Sequence, residues 1–382
     1  MAESAHAYVR GSTSQFYEWL KGANRRSVPV GPPVWICGDC HIGNLGPVAD
    51  AKGRVAVQMR DFDQAVIGNP AHDMVRLGLS LAMAARGSDL PGVTTAKMLE
   101  QMVDGYASAL AWSGRDDNRH IRKPDSVQFA LKEAVRRSWK ELLTERIEDT
   151  SPKIPLGSRF WPLARRERHA IDQVFGTEKV RKLITSLRCR DDDASVDVLD
   201  AAYWMKGCSS LGRLRFAVLV RVGSASVKKG SICLMDVKEA VRSCAPRTPK
   251  AAMPSNHGDR VVAAARAMAP FFGERMRVAQ ILGRSVFIRE LLPQDLKIEI
   301  EHVSQDEAIQ AARFLATVVG RAHARQMDTG ARKSWRAEVR RHRLKSLEAP
   351  SWLWSSVVEL VANHERAYLE HCRRYALHSR AP

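Results

Sequence analysis

The chain has 382 residues, 45% hydrophobic and 27% charged, which is enough apolar material for a sizeable core and unlike a disordered or fibrous protein. Lys and Arg outnumber Asp and Glu by 60 to 42, a net charge of +18. No run approaches the roughly 18 apolar residues of a membrane helix, and Met1 to Ala7 lack the basic-then-apolar order of a signal peptide, so no membrane span and a cytoplasmic location are expected.

The basic residues are dispersed. Groups such as Arg136-Arg137, Arg165-Arg166 and Arg373-Arg374 alternate with apolar residues at helical spacing and read as solvated helix faces. Nucleic acid is therefore not expected as the main partner, while phosphorylated or other anionic ligands suit the charge. The seven cysteines are odd in number, so disulfides are not expected to organise the fold. Cys37 and Cys40 form a C-x-x-C pair without the second ligand pair of a zinc site. They also lack the βαβ setting of a redox motif.

In chain order, Ala5 to Lys21 reads as an amphipathic helix ended by Gly22, and Val34 to Cys37 as a short apolar strand. A polar loop over Gly38 to Gly46 follows, then a strand over Arg54 to Met59 reached through a turn at Asp50 to Gly53. Helices are predicted over Asp73 to Ala85 and Thr94 to Trp112. Residues 113–200 are polar, basic and helical in places, broken by Pro152, Pro155 and Pro162. The runs Ala201 to Met205, Leu214 to Val222 and Ser231 to Val237 are strand-like, as are Arg277 to Ile281 and Ser285 to Glu290, with a helix over Asp259 to Met268 between. From Asp306 the reading is helical. A β-rich stretch between helical parts predicts two lobes with a cleft between them.

The chemistry concentrates in two loops. Asp39 and Asn44 are separated by five positions after an apolar strand. This is the spacing at which kinases place a carboxylate that orients the acceptor hydroxyl and an amide that ligates magnesium. A hairpin then delivers Asp61 and Asp63 beside the first loop. Carboxylates, an amide oxygen and phosphate oxygens form a suitable hard-oxygen shell for magnesium.

Gly38-Asp39-Cys40-His41-Ile42-Gly43-Asn44 resembles the G-D-x-H-x-x-N loop of aminoglycoside phosphotransferases and choline-kinase-like enzymes. Arg60-Asp61-Phe62-Asp63, with Gly68-Asn69-Pro70-Ala71-His72-Asp73-Met74 after it, is similar to their metal-binding segment. Over its whole length the chain also resembles the bacterial family known as domain of unknown function 2252, through Arg10-Gly11, this loop pair, the Gly-rich turn and Val237-Lys238-Glu239-Ala240. The resemblance implies ATP and Mg2+ as cofactors. Asp39 and His41 would be the catalytic-loop residues, and Asn44, Asp61 and Asp63 the metal ligands. Asp73 would hold the loop by accepting backbone N–H bonds.

A kinase has its nucleotide lobe before the catalytic loop, and only 38 residues precede Asp39. The β-rich stretch supplies the missing parts. Gly207, Ser209, Ser210 and Gly212 lie in a turn between two strands, as a phosphate-covering loop does, and Lys238 closes the third strand, as the phosphate-binding lysine does. Asp259 and Glu290 complete the expected nucleotide-binding set. Asp259, Glu239 and Glu274 are acidic candidates for pairing with Lys238. The expected fold is α+β: a bilobal protein-kinase-like fold, circularly permuted. A nucleotide lobe at 201–300 is inserted between residues 1–120 with an extension at 121–200, and 301–382. The expected function is phosphoryl transfer to an unknown, possibly anionic acceptor. Nucleotidyl transfer at the same site and a nucleotide-binding scaffold are the alternatives. One departure from the resembled pattern is Cys37, where small-molecule kinases have His.

Overall fold

In the computed structural model, residues 8–9, 11–22, 28–111, 123–136, 153–187, 190–205, 212–223, 231–292, 295, 304–341 and 349–376 are described. Gly207, Ser209 and Ser210 of the expected phosphate loop lie outside them.

The N-terminal half builds helices around two small hairpins. Helix α1 (Thr13–Lys21) is followed by strand β1 (Val34–Ile36), hairpin strands β2 (Leu45–Ala49) and β3 (Val55–Met59), and strand β4 (Val66–Gly68). Strand β4 pairs antiparallel with β1, and β2 pairs with β3 from Leu45↔Met59 to Ala49↔Val55. Helix α2 (Pro70–Gly87) starts at Asn69, whose side chain accepts from the Ala71 N–H, with Pro70 at the first helical position. It is buried from Pro70 to Ala85 except at His72. Helix α3 (Gly92–Leu110) lies against α9 (Gln305–Ala324), close enough that a Cβ on Gly105 would strike the Arg313 carbonyl, and one on Gly320 the Tyr106 backbone. Helices α10 (Thr329–Val339) and α11 (Ser351–His371) complete this part. Its core includes Leu77, Leu99, Met102, Leu315 and Leu353.

The second part is an antiparallel sheet in the order β5-β6-β7-β8-β10-β9. It comprises β5 (Phe160–Trp161), β6 (Val196–Trp204), β7 (Arg215–Val222), β8 (Ser231–Glu239), β9 (Met276–Ile281) and β10 (Arg284–Leu291). Helices α7 (His257–Met268) and α8 (Pro270–Glu274) link β8 to β9. Side chains alternate between the sheet faces. On one face Phe216, Val218, Met235 and Val237 meet Ile171 and Phe175 of α5 (Arg165–Phe175) and Leu183 of α6 (Glu178–Thr185). On the other, Trp204, Ala217, Leu219 and Leu234 gather with Phe160 and Ile154.

The sheet layer therefore begins well before the expected boundary at residue 201, because β5, α5, α6 and the start of β6 belong to it. Their polar sequence reflects helices that bury one narrow stripe, such as Ile171 and Phe175, and leave the rest in solvent. The remaining short helix of the first half, α4 (Asp125–Arg136), buries Val127, Ala130 and Ala134. No described helix is long and apolar enough to cross a membrane.

Candidate active site

Asp39 leaves β1 on a turn that only glycine permits. Gly38 has φ +74°, and a Cβ there would fall on the Gln64 carbonyl. The turn is held from below by Asp73, fully buried in the first turn of α2. Its two oxygens accept from the Cys37 N–H at 2.7 Å and the Gly38 N–H at 2.9 Å. Tyr17 Oη donates to the Gly38 carbonyl at 2.6 Å. Asp73 thus does what its motif position implied.

The Asp39 carboxylate is held on one side only. Buried Arg76 donates Nε to Oδ1 at 3.0 Å, while Oδ2 lies 3.9 Å from His41 Nε2. His41 is buried beside Asp39. The Asn44 amide nitrogen donates to the Asp39 carbonyl at 2.9 Å, and Oδ1 takes no hydrogen bond among the described residues. Asn44 also closes the β2–β3 hairpin, its carbonyl accepting from the Arg60 N–H at 2.9 Å. Asp61 is therefore the next residue beyond the ladder, and the two predicted loops are neighbours by strand pairing. Cys37 joins them again, donating Sγ–H to the Asp61 carbonyl at 3.3 Å. Its thiol, and that of Cys40, is pushed up first by burial and then by Asp73. Both cysteines are free, packed into the core and bound to no disulfide.

Lys238 reaches this loop from the sheet. Its Nζ contacts Asp63 Oδ2 directly and lies 3.9 Å from Asp61 Oδ2. Burial alone would lower the Lys238 pKa, but Asp61 and Asp63 outweigh it and hold it above the ordinary lysine value, so the ammonium persists. The two carboxylates divide. Burial raises Asp61, yet Lys238, the Asp63 amide, Arg289 and Arg215 carry it below the ordinary value. Asp63 is raised by burial and by Asp61, against the pull of Lys238.

Three further charged residues, absent from the sequence-derived set, share this sheet face. Arg215 is paired directly with Lys238 in the β7–β8 register, and Arg289 with Asp236 in the β8–β10 register. Asp236, fully buried, accepts from Arg215 at 2.9 Å and Arg289 at 3.0 Å. The guanidiniums stack over Trp204 and Phe272. Their signal in the sequence was charge at alternate positions within apolar strands, where burial requires a partner.

Two expected members stand apart. Glu290 is in register with Met235, whose side chain lies on the α5/α6 face, so it points away from Lys238. There it takes both Arg190 guanidinium nitrogens at 2.8 Å. Asp259 is exposed on the first turn of α7, as Glu274 is on α8. Glu239 accepts instead from the Leu214 N–H and Arg284. The acidic partners of Lys238 are Asp61 and Asp63, in the loop after β3, and do not come from the following helix. In place of Asp259, its neighbour Arg260 faces inward and donates to the carbonyls of Asp63, Ala65 and Val241. Gly212, the described end of the predicted phosphate loop, has φ +72°, and no atom of the described residues beyond its chain neighbours lies within 4 Å of a Cβ added there.

The residues fit a hard cation at the Asn44–Asp61–Asp63 end. Asp63 Oδ1 is buried with no hydrogen-bond partner among the described residues, and Asn44 Oδ1 is left free by its amide contact. Among the described residues no cluster of three or more His, Cys, Asp or Glu side chains assembles a complete metal site. A magnesium ion here would depend on ligand oxygens for the rest of its shell.

A mixed α+β protein with a charged cluster between an antiparallel sheet and a pair of helix-supported loops is thus defined. The chain belongs to the family of uncharacterized proteins conserved in bacteria, DUF2252, whose model matches residues 1–374. No curated protein and no solved structure matches the chain.

Proposed function

We propose that this protein is an ATP- and Mg2+-dependent phosphotransferase with a circularly permuted, bilobal kinase-like architecture. The observation that carries the reading is the meeting of Lys238, from the third long strand of the sheet, with Asp61 and Asp63, from the loop that follows Asp39 and Asn44. In protein kinases a strand lysine meets the nucleotide phosphates, while a loop Asp and an Asn of the catalytic loop hold the metal. Here the same parts occur in rotated chain order.

In this reading Lys238 binds the ATP phosphates, with Arg215 and Arg289 beside it. Asn44, Asp61 and Asp63 hold magnesium, which when bound neutralises charge on the phosphate oxygens. Arg76 occupies Asp39 Oδ1, so Oδ2 receives the acceptor hydroxyl and takes its proton. The acceptor oxygen forms a bond to the γ-phosphorus as the bond to the ADP oxygen breaks. Most of the rate enhancement comes from positioning and charge compensation.

The test is ATP binding with and without magnesium, and ADP formation, for wild type, Asp61→Asn and Lys238→Ala. The expected result is magnesium-dependent binding that both variants lose, with ADP and not AMP as product. Binding by wild type that ignores magnesium, or a Lys238→Ala protein that binds like wild type, removes the nucleotide site from this sheet. AMP as product would favour nucleotidyl transfer.

A further inference from the structure

A cavity of about 920 Å3 lies beside the catalytic loop, between α1 and the connection from β8 to α7. Its volume is that of a small-molecule site. Two of its lining segments bond to residues next to Asp39 and Asp63, although neither carboxylate is on its wall. Tyr17, on its wall, donates to the carbonyl of Gly38, the residue before Asp39. Ser243 and Cys244, also on its wall, bond to Gln64, the residue after Asp63: Ser243 Oγ to its carbonyl at 2.8 Å, and the Cys244 N–H to Oε1 at 2.8 Å. The Asp39 carboxylate acts on this wall too, since after burial it is the main influence raising the Cys244 thiol.

The charge of the cavity is one-sided. Among its described lining residues the one acid is Glu18, already paired with Lys21 at 2.6 Å. Arg242 and Arg247 line it without an ion pair among the described residues, and both are exposed. Arg260 and His257 also line it. The His257 pKa is lowered by burial and then by Arg260 and Arg242, so these cations share one region. Apolar lining is supplied by Leu20, Val28, Val66 and Met253.

Resting on the phosphotransferase reading above, we infer that this cavity is the acceptor site and that the acceptor is a hydroxyl compound with an apolar body and an anionic group. The hydroxyl end lies toward Asp39, the body against the apolar wall, and the anionic group at Arg242 and Arg247. A cationic acceptor such as an aminoglycoside or choline would meet like charge here, so acceptor chemistry departs from that of the enzymes whose loops this chain resembles.

Exposed Cys244 provides the readout. Its alkylation by the neutral reagent N-ethylmaleimide is followed on the intact protein by mass spectrometry of the Cys244 peptide. Phenyl phosphate and phenyltrimethylammonium serve as matched probes, sharing a ring and opposite in charge. The expected result is that phenyl phosphate slows labelling about tenfold at ten times its Kd, by simple occupancy. Phenyltrimethylammonium should not slow it, and Arg242→Ala/Arg247→Ala should abolish the protection. Protection by phenyl phosphate should persist in Lys238→Ala, which separates this site from the nucleotide site: if ATP binding fails in wild type while this protection holds, the phosphotransferase reading falls and the anion site stands. The inference is overturned if the two probes protect equally, if phenyl phosphate does not protect, if protection survives in the double-arginine variant, or if Mg-ATP alone protects Cys244.

Discussion

His323 Nε2 lies 3.2 Å from Asp73 Oδ2, with both side chains fully buried, and this contact connects the core of the helical part to the loop that carries Asp39. The connection continues inward, since His323 Nδ1 meets Tyr106 Oη at 2.8 Å and Trp335 Nε1 donates to Tyr106 at 3.0 Å. Asp73 is its outer end and spends its remaining capacity on the Cys37 and Gly38 amides. Asp73→Asn replaces one acceptor with a donor facing N–H groups. It is expected to cost about 3 kcal/mol in urea denaturation, the range for a buried charged acceptor lost from its partners. Ser80→Ala, which removes a single 3.2 Å contact to the Ile42 N–H, should cost about 1 kcal/mol.

The same chain predicts a pH response. Burial, reinforced by Asp73 and Cys40, raises the Tyr106 phenol far above its ordinary value of 10.0 despite the Trp335 hydrogen bond. Its folded pKa exceeds its unfolded one. Its contribution to stability is thus complete below pH 10.0 and is lost as pH rises toward the folded value. The buried thiols of Cys37, Cys40 and Cys233 act with the same sign from their ordinary value of 9.0 upward. Thermal unfolding should therefore move to lower temperature as pH increases past about 9. Tyr106→Phe should show a shallower decline above pH 10, starting about 1–2 kcal/mol lower because Trp335 Nε1 and His323 Nδ1 lose their partner.

Much of this was legible in the sequence. Strands β1, β3, β7, β8, β9 and β10 follow from apolar runs and Gly or Pro breaks, and the Asn44–Asp61 proximity from a hairpin of suitable length, whereas β2, β4 and β5 are short pairings in stretches that carry no strand pattern of their own. Asp73 was readable because a motif fixed its spacing to the loop it caps. What was not legible depended on face and partner. Glu290 and Lys238 both sit on central strands, and only the register with Met235 reveals that they point in opposite directions. Asp259 and Arg260 are adjacent on α7, and a rotation of one residue decides which one faces the loop. The role of His323 left no local signal, because its partners are 217 and 250 positions away. Helices α5 and α6 were legible only as helix somewhere within 113–200, because a narrow apolar stripe in a basic sequence does not mark where each helix begins or that it packs on the sheet.

Backbone geometry separates two glycines with similar dihedrals. Gly38 has φ +74° and Gly53 φ +82°, so alanine at either adopts the left-handed region at about 1–2 kcal/mol. At Gly53 nothing surrounds the added Cβ, whereas at Gly38 it meets the Gln64 backbone. Gly53→Ala should stay within that strain cost. Gly38→Ala should lose more than about 3 kcal/mol, since loop and carbonyl must separate. It should also displace Gln64 and with it Cys244, so that N-ethylmaleimide labels Cys244 at a changed rate. Urea denaturation of both variants decides the first point and the labelling rate the second.

Asp236 and Glu290 offer the sharpest contrast. Both are fully buried acids on adjacent strands, and both are tied to arginine. Removing either charge leaves buried guanidinium unpaired and should destabilise the fold by about 3–5 kcal/mol. Their effects on nucleotide should differ. Glu290→Gln frees Arg190 on the α5/α6 face, remote from Lys238, and Mg-ATP affinity should be unchanged wherever the protein remains folded. Asp236→Asn frees Arg215 and Arg289 on the face that carries Lys238. Both already act on Asp61, so once released they compete for the carboxylates that would hold the metal. Mg-ATP binding should weaken by about tenfold, or about 1.4 kcal/mol. Calorimetric titration of the two variants with ATP at fixed magnesium measures the difference. Equal losses would mean that binding follows overall stability and not the charged face, and would detach Arg215 and Arg289 from the site.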